Sequence, residues 1–153
     1  GEVTNSKTLA KTIVELRNVQ SMKSIDAFKQ SLRGIVKGNP NRYFAQVFQA
    51  LRIEVNDELG ALKAMLQQIP PLLKPGCRAT IITFHSLEDR LVKSFFRRGT
   101  FEETEENPFI MTTSVNELKV ITKKPIEPTE KEMKQNPRAR SAKLRVVEKV
   151  MMV

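Results

Sequence analysis

Apolar residues recur at three- and four-residue intervals along most of this chain, a period that predicts helices. Leu9, Ile13 and Leu16 form one short stripe. Ile25, Phe28, Leu32, Ile35 and Val36 form a second, with Ser24 as its expected N-cap. Residues 1–38 therefore read as a module of short helices, whose exposed positions carry Lys7, Lys11, Arg17, Lys23, Lys29, Arg33 and Lys37. A turn at Gly38-Asn-Pro-Asn41 leads into the longest pattern. Phe44, Val47, Phe48, Leu51, Val55, Leu59, Leu62, Leu66 and Ile69 hold one apolar line for about seven turns. That line predicts a single helix over 44–69, ended or kinked at Pro70-Pro71.

The period then changes. Ala79-Thr-Ile-Ile-Thr-Phe84 is compact, apolar and β-branched, which predicts a strand over 79–84. Leu87, Leu91, Val92, Phe95 and Phe96 return to helical spacing and predict a helix from about Ser86 to Arg98. His85, the only histidine, stands at the switch. A strand that ends in polar residues and turns at once into an amphipathic helix marks an α/β unit. Ligands of open α/β sheets gather outside the carboxyl ends of the strands. His85, Ser86, Glu88 and Asp89 are thus the candidate site residues. A purely structural alternative makes Ser86 the N-cap and Asp89 its N3 partner.

Residues 99–117 are acidic and weakly patterned, with Glu102, Glu103, Glu105 and Glu106 together. They read as a surface loop holding a short strand at 109–112. A strand over 118–122 follows, then a short helix with Thr129 and Glu132 as its capping box, and a break at Asn136-Pro137. In the final strand, 144–150, Leu144 and Val146 alternate with Lys143 and Arg145. The last two strands predict an antiparallel pair at a sheet edge.

Charge adds a partner to this picture. The 153 residues suit one ordinary domain, and their net charge of +9 predicts affinity for polyanions, nucleic acid above all. Arg138, Arg140, Lys143 and Arg145 follow a turn and suit phosphate contact. The alternative is a charged edge strand guarded against aggregation. Gln49, Arg52 and Asn56 line up at i, i+3, i+7 and suit either a planar polar ligand or the capping of loops. Glu54, Asp57 and Glu58 read as solvent-facing acids, and Gly60 as a bend. No apolar run approaches the roughly 20 residues that span a membrane, so no membrane partner is expected. The single Cys77 excludes an internal disulfide and favours a reducing, cytoplasmic setting. Gly1-Glu-Val has neither an initiator Met nor a signal-peptide pattern, and reads as the start of a piece of a longer protein.

Catalytic templates are incomplete. There is no P-loop or G-x-G-x-x-G. His85 and Ser86 are adjacent on one backbone and do not by themselves make a nucleophile–base pair. One histidine with one acid makes a poor metal site, so no metal is expected. The residues alone describe a basic α/β half-domain without a complete active site.

Four ordered blocks carry a resemblance. They are Phe48-Gln-Ala-Leu-Arg-Ile-Glu-Val-Asn-Asp-Glu-Leu59, Leu73-Lys-Pro-Gly-Cys-Arg78, Thr83-Phe-His-Ser-Leu-Glu-Asp-Arg90 and Asn136-Pro-Arg-Ala-Arg-Ser-Ala-Lys-Leu-Arg145. Together they resemble the RsmH (MraW) family, the S-adenosylmethionine-dependent methyltransferases that modify N4 of a cytosine in bacterial small-subunit ribosomal RNA. Cys77 stands where that family commonly has the second Gly of Pro-Gly-Gly. The family's Gly-rich cofactor loop and its two acidic cofactor motifs have no counterpart here. The resemblance implies that residues 1–43 belong to an inserted helical, substrate-side module. Residues 44–153 would be the C-terminal part of a Rossmann-like class I methyltransferase α/β domain: the last strands of the sheet, mixed with an antiparallel edge pair.

S-adenosylmethionine would then serve the parent protein, with no cofactor-binding residue in this chain. On position and charge, His85, Ser86, Glu88 and Asp89 are the substrate-side candidates. Arg52 and Asn56 would support them, and Arg138, Arg140 and Lys143 would hold RNA phosphates. The partner implied is small-subunit ribosomal RNA or the subunit itself. Strand 79–84 would lack a neighbour, which favours pairing with a second copy or poor solubility at low salt. The chain alone is expected neither to bind S-adenosylmethionine nor to methylate. Two alternatives stand: a non-catalytic basic RNA-binding module, and an interaction domain that packs its 44–69 stripe against a partner helix.

Overall fold

A computed structural model of the chain describes residues 2–101 and 116–150. The expected acidic cluster at 102–106 and the short strand at 109–112 lie outside the described residues. The chain divides into two compact units, Gly1–Glu58 and Leu59–Val153.

In the first unit, α1 (Ser6–Leu16) and α2 (Ile25–Leu32) follow the two expected stripes. Ser24 caps α2, its hydroxyl accepting from the Ala27 N–H at 3.2 Å. A 3-10 turn over Arg33–Ile35 leads to α3 (Pro40–Val55), which Asn39 caps by accepting from the Arg42 N–H at 3.1 Å. Pro40 is harmless at the first helical position, where a backbone N–H would lack a helical partner anyway. Leu9, Leu32, Tyr43, Phe44 and Val47 are buried together, with Ile13, Phe28 and Phe48 against them. The Tyr43 hydroxyl donates to Asn5 Oδ1 at 3.0 Å, and the Asn5 amide donates to the Ile35 carbonyl at 2.9 Å. Ile25, expected on the stripe, is exposed at the first residue of its helix.

The single helix expected over 44–69 is two helices. The first is α3; α4 (Glu58–Leu72) begins after a break at Asn56-Asp57, where Asp57 takes φ +49°. Asn and Asp enter the left-handed region more readily than other side-chain-bearing residues, and Asn56 is the C-cap of α3. The apolar spacing runs through the break without a gap, so periodicity alone does not show it. The buried line differs too: Val55 is 82% exposed and Leu51 is exposed, while Ile53 is buried. The prolines do not stop α4, which runs through Pro70 and Pro71 to Leu72. They remove backbone donors only in its last turn, so the loss is confined to the helix end. There the Lys149 ammonium donates to the Pro70 carbonyl at 2.8 Å, as suits a cation at a helix C-terminus.

The second unit holds a three-stranded sheet of β1 (Arg78–Thr83), β2 (Leu118–Val120) and β3 (Lys143–Lys149) in the order β1-β3-β2. β3 is antiparallel to both neighbours, with Ile81 opposite Arg145, Thr83 opposite Lys143 and Val120 opposite Val147. The expected antiparallel pair is present, but β3 is the central strand. Reading its cations as edge guards is therefore wrong. Between the strands lie α5 (Ser86–Arg98), α6 (Glu130–Gln135) and a 3-10 turn over Pro137–Ser141. Thr129 caps α6 by accepting from the Glu132 N–H at 3.2 Å. One face of the sheet carries Ala79, Ile81, Val147, Leu118 and Val120, packed with Leu66, Val92, Phe95 and Phe96 from α4 and α5. Leu66, Val92, Phe95, Phe96 and Val147 are fully buried, and each contributes about 1.5–3 kcal/mol. On the other face Ile82 is 53% exposed.

Gly99 closes α5 at φ +77°, and a Cβ there would lie 2.7 Å from Asn116 Oδ1. That Asn116 oxygen accepts from the Leu118 N–H at 3.0 Å, and its amide donates to the Phe96 and Arg97 carbonyls. Gly99→Ala should therefore lower stability by about 1–2 kcal/mol, from backbone strain and a displaced Asn116. A shift of the urea midpoint at unchanged slope would register it.

Candidate substrate and RNA-binding site

Strand β1 ends at buried Thr83, whose hydroxyl donates to the Lys143 carbonyl at 3.4 Å. His85, not Ser86, is the N-cap of α5: its φ of −137° and ψ of 161° are extended. Its Nδ1 accepts from the Glu88 N–H at 3.2 Å. Glu88 Oε2 reaches back to accept from the Phe84 and His85 N–H groups at 2.9 and 3.3 Å. This is a capping box with histidine in the usual place of serine. The expected cap pairing Ser86 with Asp89 is one residue out of register. His-x-x-Glu and Ser-x-x-Asp have the same spacing, but the longer Glu88 side chain reaches two backbone donors, and Asp89 is engaged elsewhere. With Nδ1 accepting, the neutral ring carries its proton on Nε2, which lies 3.3 Å from Glu88 Oε1. The ring is nearly buried, whereas Ser86 is exposed on the first turn.

Asp89 faces inward. Its two oxygens accept from Arg145 Nε at 2.6 Å and Nη2 at 2.9 Å, and Lys143 Nζ lies 4.0 Å from Oδ2. Asp89 is 8% exposed and Arg145 5%, so the pair is desolvated. The hydrogen bonds from Arg145 hold the Asp89 carboxyl below its ordinary pKa, against burial, which raises it. The charges of Arg145, Lys143 and Lys93 lower it further. A carboxylate so stabilised is a weak base. The alternation in the last strand predicted Arg145 pointing outward; it lies on the buried face because its counter-ion is there. An arginine directly before Val146-Val147 was the signal available in the sequence.

In the first unit, Arg52 and Asn56 converge on Glu58. Arg52 Nε lies 2.8 Å from Glu58 Oε1, Arg52 Nη2 donates to Oε2 at 3.2 Å, and Asn56 Nδ2 donates to Oε1 at 3.3 Å. Glu58 is thus a part-buried partner and not the solvent-facing acid expected. Arg138 and Arg140 are exposed on the 3-10 turn, which Asn136 caps by accepting from the Arg138 N–H at 3.2 Å and Ala139 anchors in the interior. Lys143 follows at the start of β3. The structure therefore gathers Lys143, Arg145, Asp89 and the end of β1, with two free-standing arginines just upstream of them in the chain.

Polar residues at the carboxyl end of a strand, with Lys143 and Arg145 on the strand beside it, define part of an α/β domain. The chain matches the model of the MraW methylase family over residues 1–150, and it belongs to that family. It is 47% identical over 151 residues to the ribosomal RNA small subunit methyltransferase H of Azobacteroides pseudotrichonymphae, covering 98% of this chain and 49% of the relative. Proteins of the same name from Flavobacterium johnsoniae and Parabacteroides distasonis are 46% and 44% identical over the same shares. The chain spans about half the length of the curated relatives it matches.

Proposed function

We propose that this chain provides the substrate side of a methyltransferase that modifies N4 of a cytosine in small-subunit ribosomal RNA, with S-adenosylmethionine as methyl donor. The observation that carries the reading is the match over nearly the whole chain to relatives named for methylating that RNA. On this reading residues 1–43 form a helical substrate-side module, and 44–153 belong to a Rossmann-like α/β domain working in the cytoplasm.

The junction of β1 and α5 does not fit S-adenosylmethionine. No glycine lies between β1 and α5 to let backbone approach a nucleoside. Glu88 is engaged by two N–H groups and Asp89 by Arg145. The chain alone should therefore not methylate. What these residues offer is placement. Ser86 presents an exposed hydroxyl at the strand end for holding and orienting an exocyclic amine, and the nearly buried His85 ring stands beside it as the second candidate. Arg138, Arg140 and Lys143 take phosphates, with Arg52 and Asn56 as a further polar row. The outer edge of β1 and the exposed Ile82 and Phe84 favour pairing with a second copy of the chain.

The test is RNA affinity against salt, using a single-stranded oligonucleotide of small-subunit sequence. Arg138→Gln, Arg140→Gln and Lys143→Gln should each flatten the log–log salt slope by about 0.7. Unchanged slopes would remove these side chains from the RNA face.

A further inference from the structure

We propose that a pocket between α5 and β2 binds one unpaired nucleotide of the RNA strand, a contact separate from the strand end. The inference rests on RNA being the substrate. The cavity holds about 230 Å³, below the roughly 300–1,000 Å³ of sites for drug-sized ligands. Its floor is Phe96 and Val120, and its rim is Lys93, Arg97 and Lys123. The side chains of the three rim cations make no hydrogen bond or close ion pair among the described residues, although the Lys93 charge is felt at Asp89. Lys93 and Arg97 stand at i, i+4 on one helix, so their charges repel unless an anion lies between them.

Other polar groups of the pocket are partly engaged. Arg145 lines it but is held by Asp89. The Thr122 hydroxyl accepts from the Val146 N–H at 2.8 Å, which leaves its O–H to donate. A small apolar floor under three cations with no close ion pair among the described residues, and one hydroxyl donor, matches a base or ribose face carrying a phosphate. Aliphatic stems of Lys and Arg can lie along such a face while their charges meet the phosphate. Inorganic phosphate alone would leave the floor unused.

The pocket also continues the strand-end cations. Arg145 lines it, and Lys143 sits 4.0 Å from the carboxylate that Arg145 holds.

Two measurements on the whole chain test this. The first is the salt slope of single-stranded RNA binding for Lys93→Gln/Lys123→Gln, with Lys119→Gln as control on the opposite sheet face. The double variant should flatten the slope by about 1.4 and the control should not change it. The second is the shift of the Val120 and Thr122 amide signals in the unsubstituted chain on adding cytidine 5′-monophosphate, then an RNA octanucleotide. Shifts with both, or with the octanucleotide alone, support the pocket. The second case requires the nucleotide to arrive within a strand. An unchanged slope, an equal effect of the control, or RNA shifts confined to 138–145 would overturn the pocket and leave the RNA reading intact. No RNA binding by the unsubstituted chain would overturn both.

Discussion

Asp89→Ala is expected to destabilise the second unit by about 3–5 kcal/mol, because it leaves the Arg145 guanidinium buried without a counter-ion. Arg145 lies on the inner face of the central strand and is 5% exposed, so water does not readily replace the lost carboxylate. Lys143 does not relieve the loss, since it adds a second positive charge beside the same site. Arg145→Ala should cost a comparable amount by stranding the acid. Removing both together, as in Asp89→Leu with Arg145→Met, should cost far less than the sum, because neither charge is then buried alone. Domains commonly have about 5–15 kcal/mol of stability in all, so either single variant removes about a third or more of it in a domain of about 10 kcal/mol.

The pair also fixes a pH dependence. The Asp89 pKa is lowered on folding from its ordinary 3.8, chiefly by the Arg145 hydrogen bonds. Its contribution is therefore fully present above the ordinary carboxylate range. It is lost as pH falls through 3.8 toward the lower folded value. Urea melts from pH 7 to pH 3 should show the parent losing stability at the acid end, while Asp89→Leu/Arg145→Met lacks that share of the decline. Equal acid sensitivity in the two proteins would mean that Asp89 is not the titrating group.

What the sequence disclosed depended on how local the deciding contact is. The change of period at His85 located β1 and α5, since both are decided by residues within one or two turns. Ser24 and Thr129 were legible as caps for the same reason. The break at Asn56-Asp57 was not, because the apolar spacing continues across it and only the backbone at Asp57 departs. The His85–Glu88 box competed with Ser86–Asp89 at equal spacing. Side-chain length and the prior engagement of Asp89 decided between them. That engagement comes from Arg145, 56 positions away, where no helix or strand period reaches. The central place of β3 was hidden likewise, because strand order is set by contacts between distant segments.

The strand-end site turns on whether the His85 ring serves the substrate or only closes the helix, and His85→Asn separates the two roles. Asparagine is among the best N-caps, so this variant should keep α5 intact and stability within about 0.5 kcal/mol of the parent. His85→Ala removes both the cap and the ring, and should lose about 1 kcal/mol. In a chain completed to its relatives' length, methylation of small-subunit RNA should fall by about 10²-fold or more in both variants if the ring is the polar partner of the reacting amine. The loss should appear in kcat, with the RNA KM nearly unchanged, because phosphate contacts elsewhere set affinity. The box itself restricts this role. Holding Nδ1 on the Glu88 N–H fixes the ring plane and leaves Nε2, buried and 3.3 Å from Glu88 Oε1, as the only position left for the amine, so serving it requires the capping box to open. A His85→Asn protein that methylates like the parent would reduce His85 to a cap and leave Ser86 as the strand-end group for the amine.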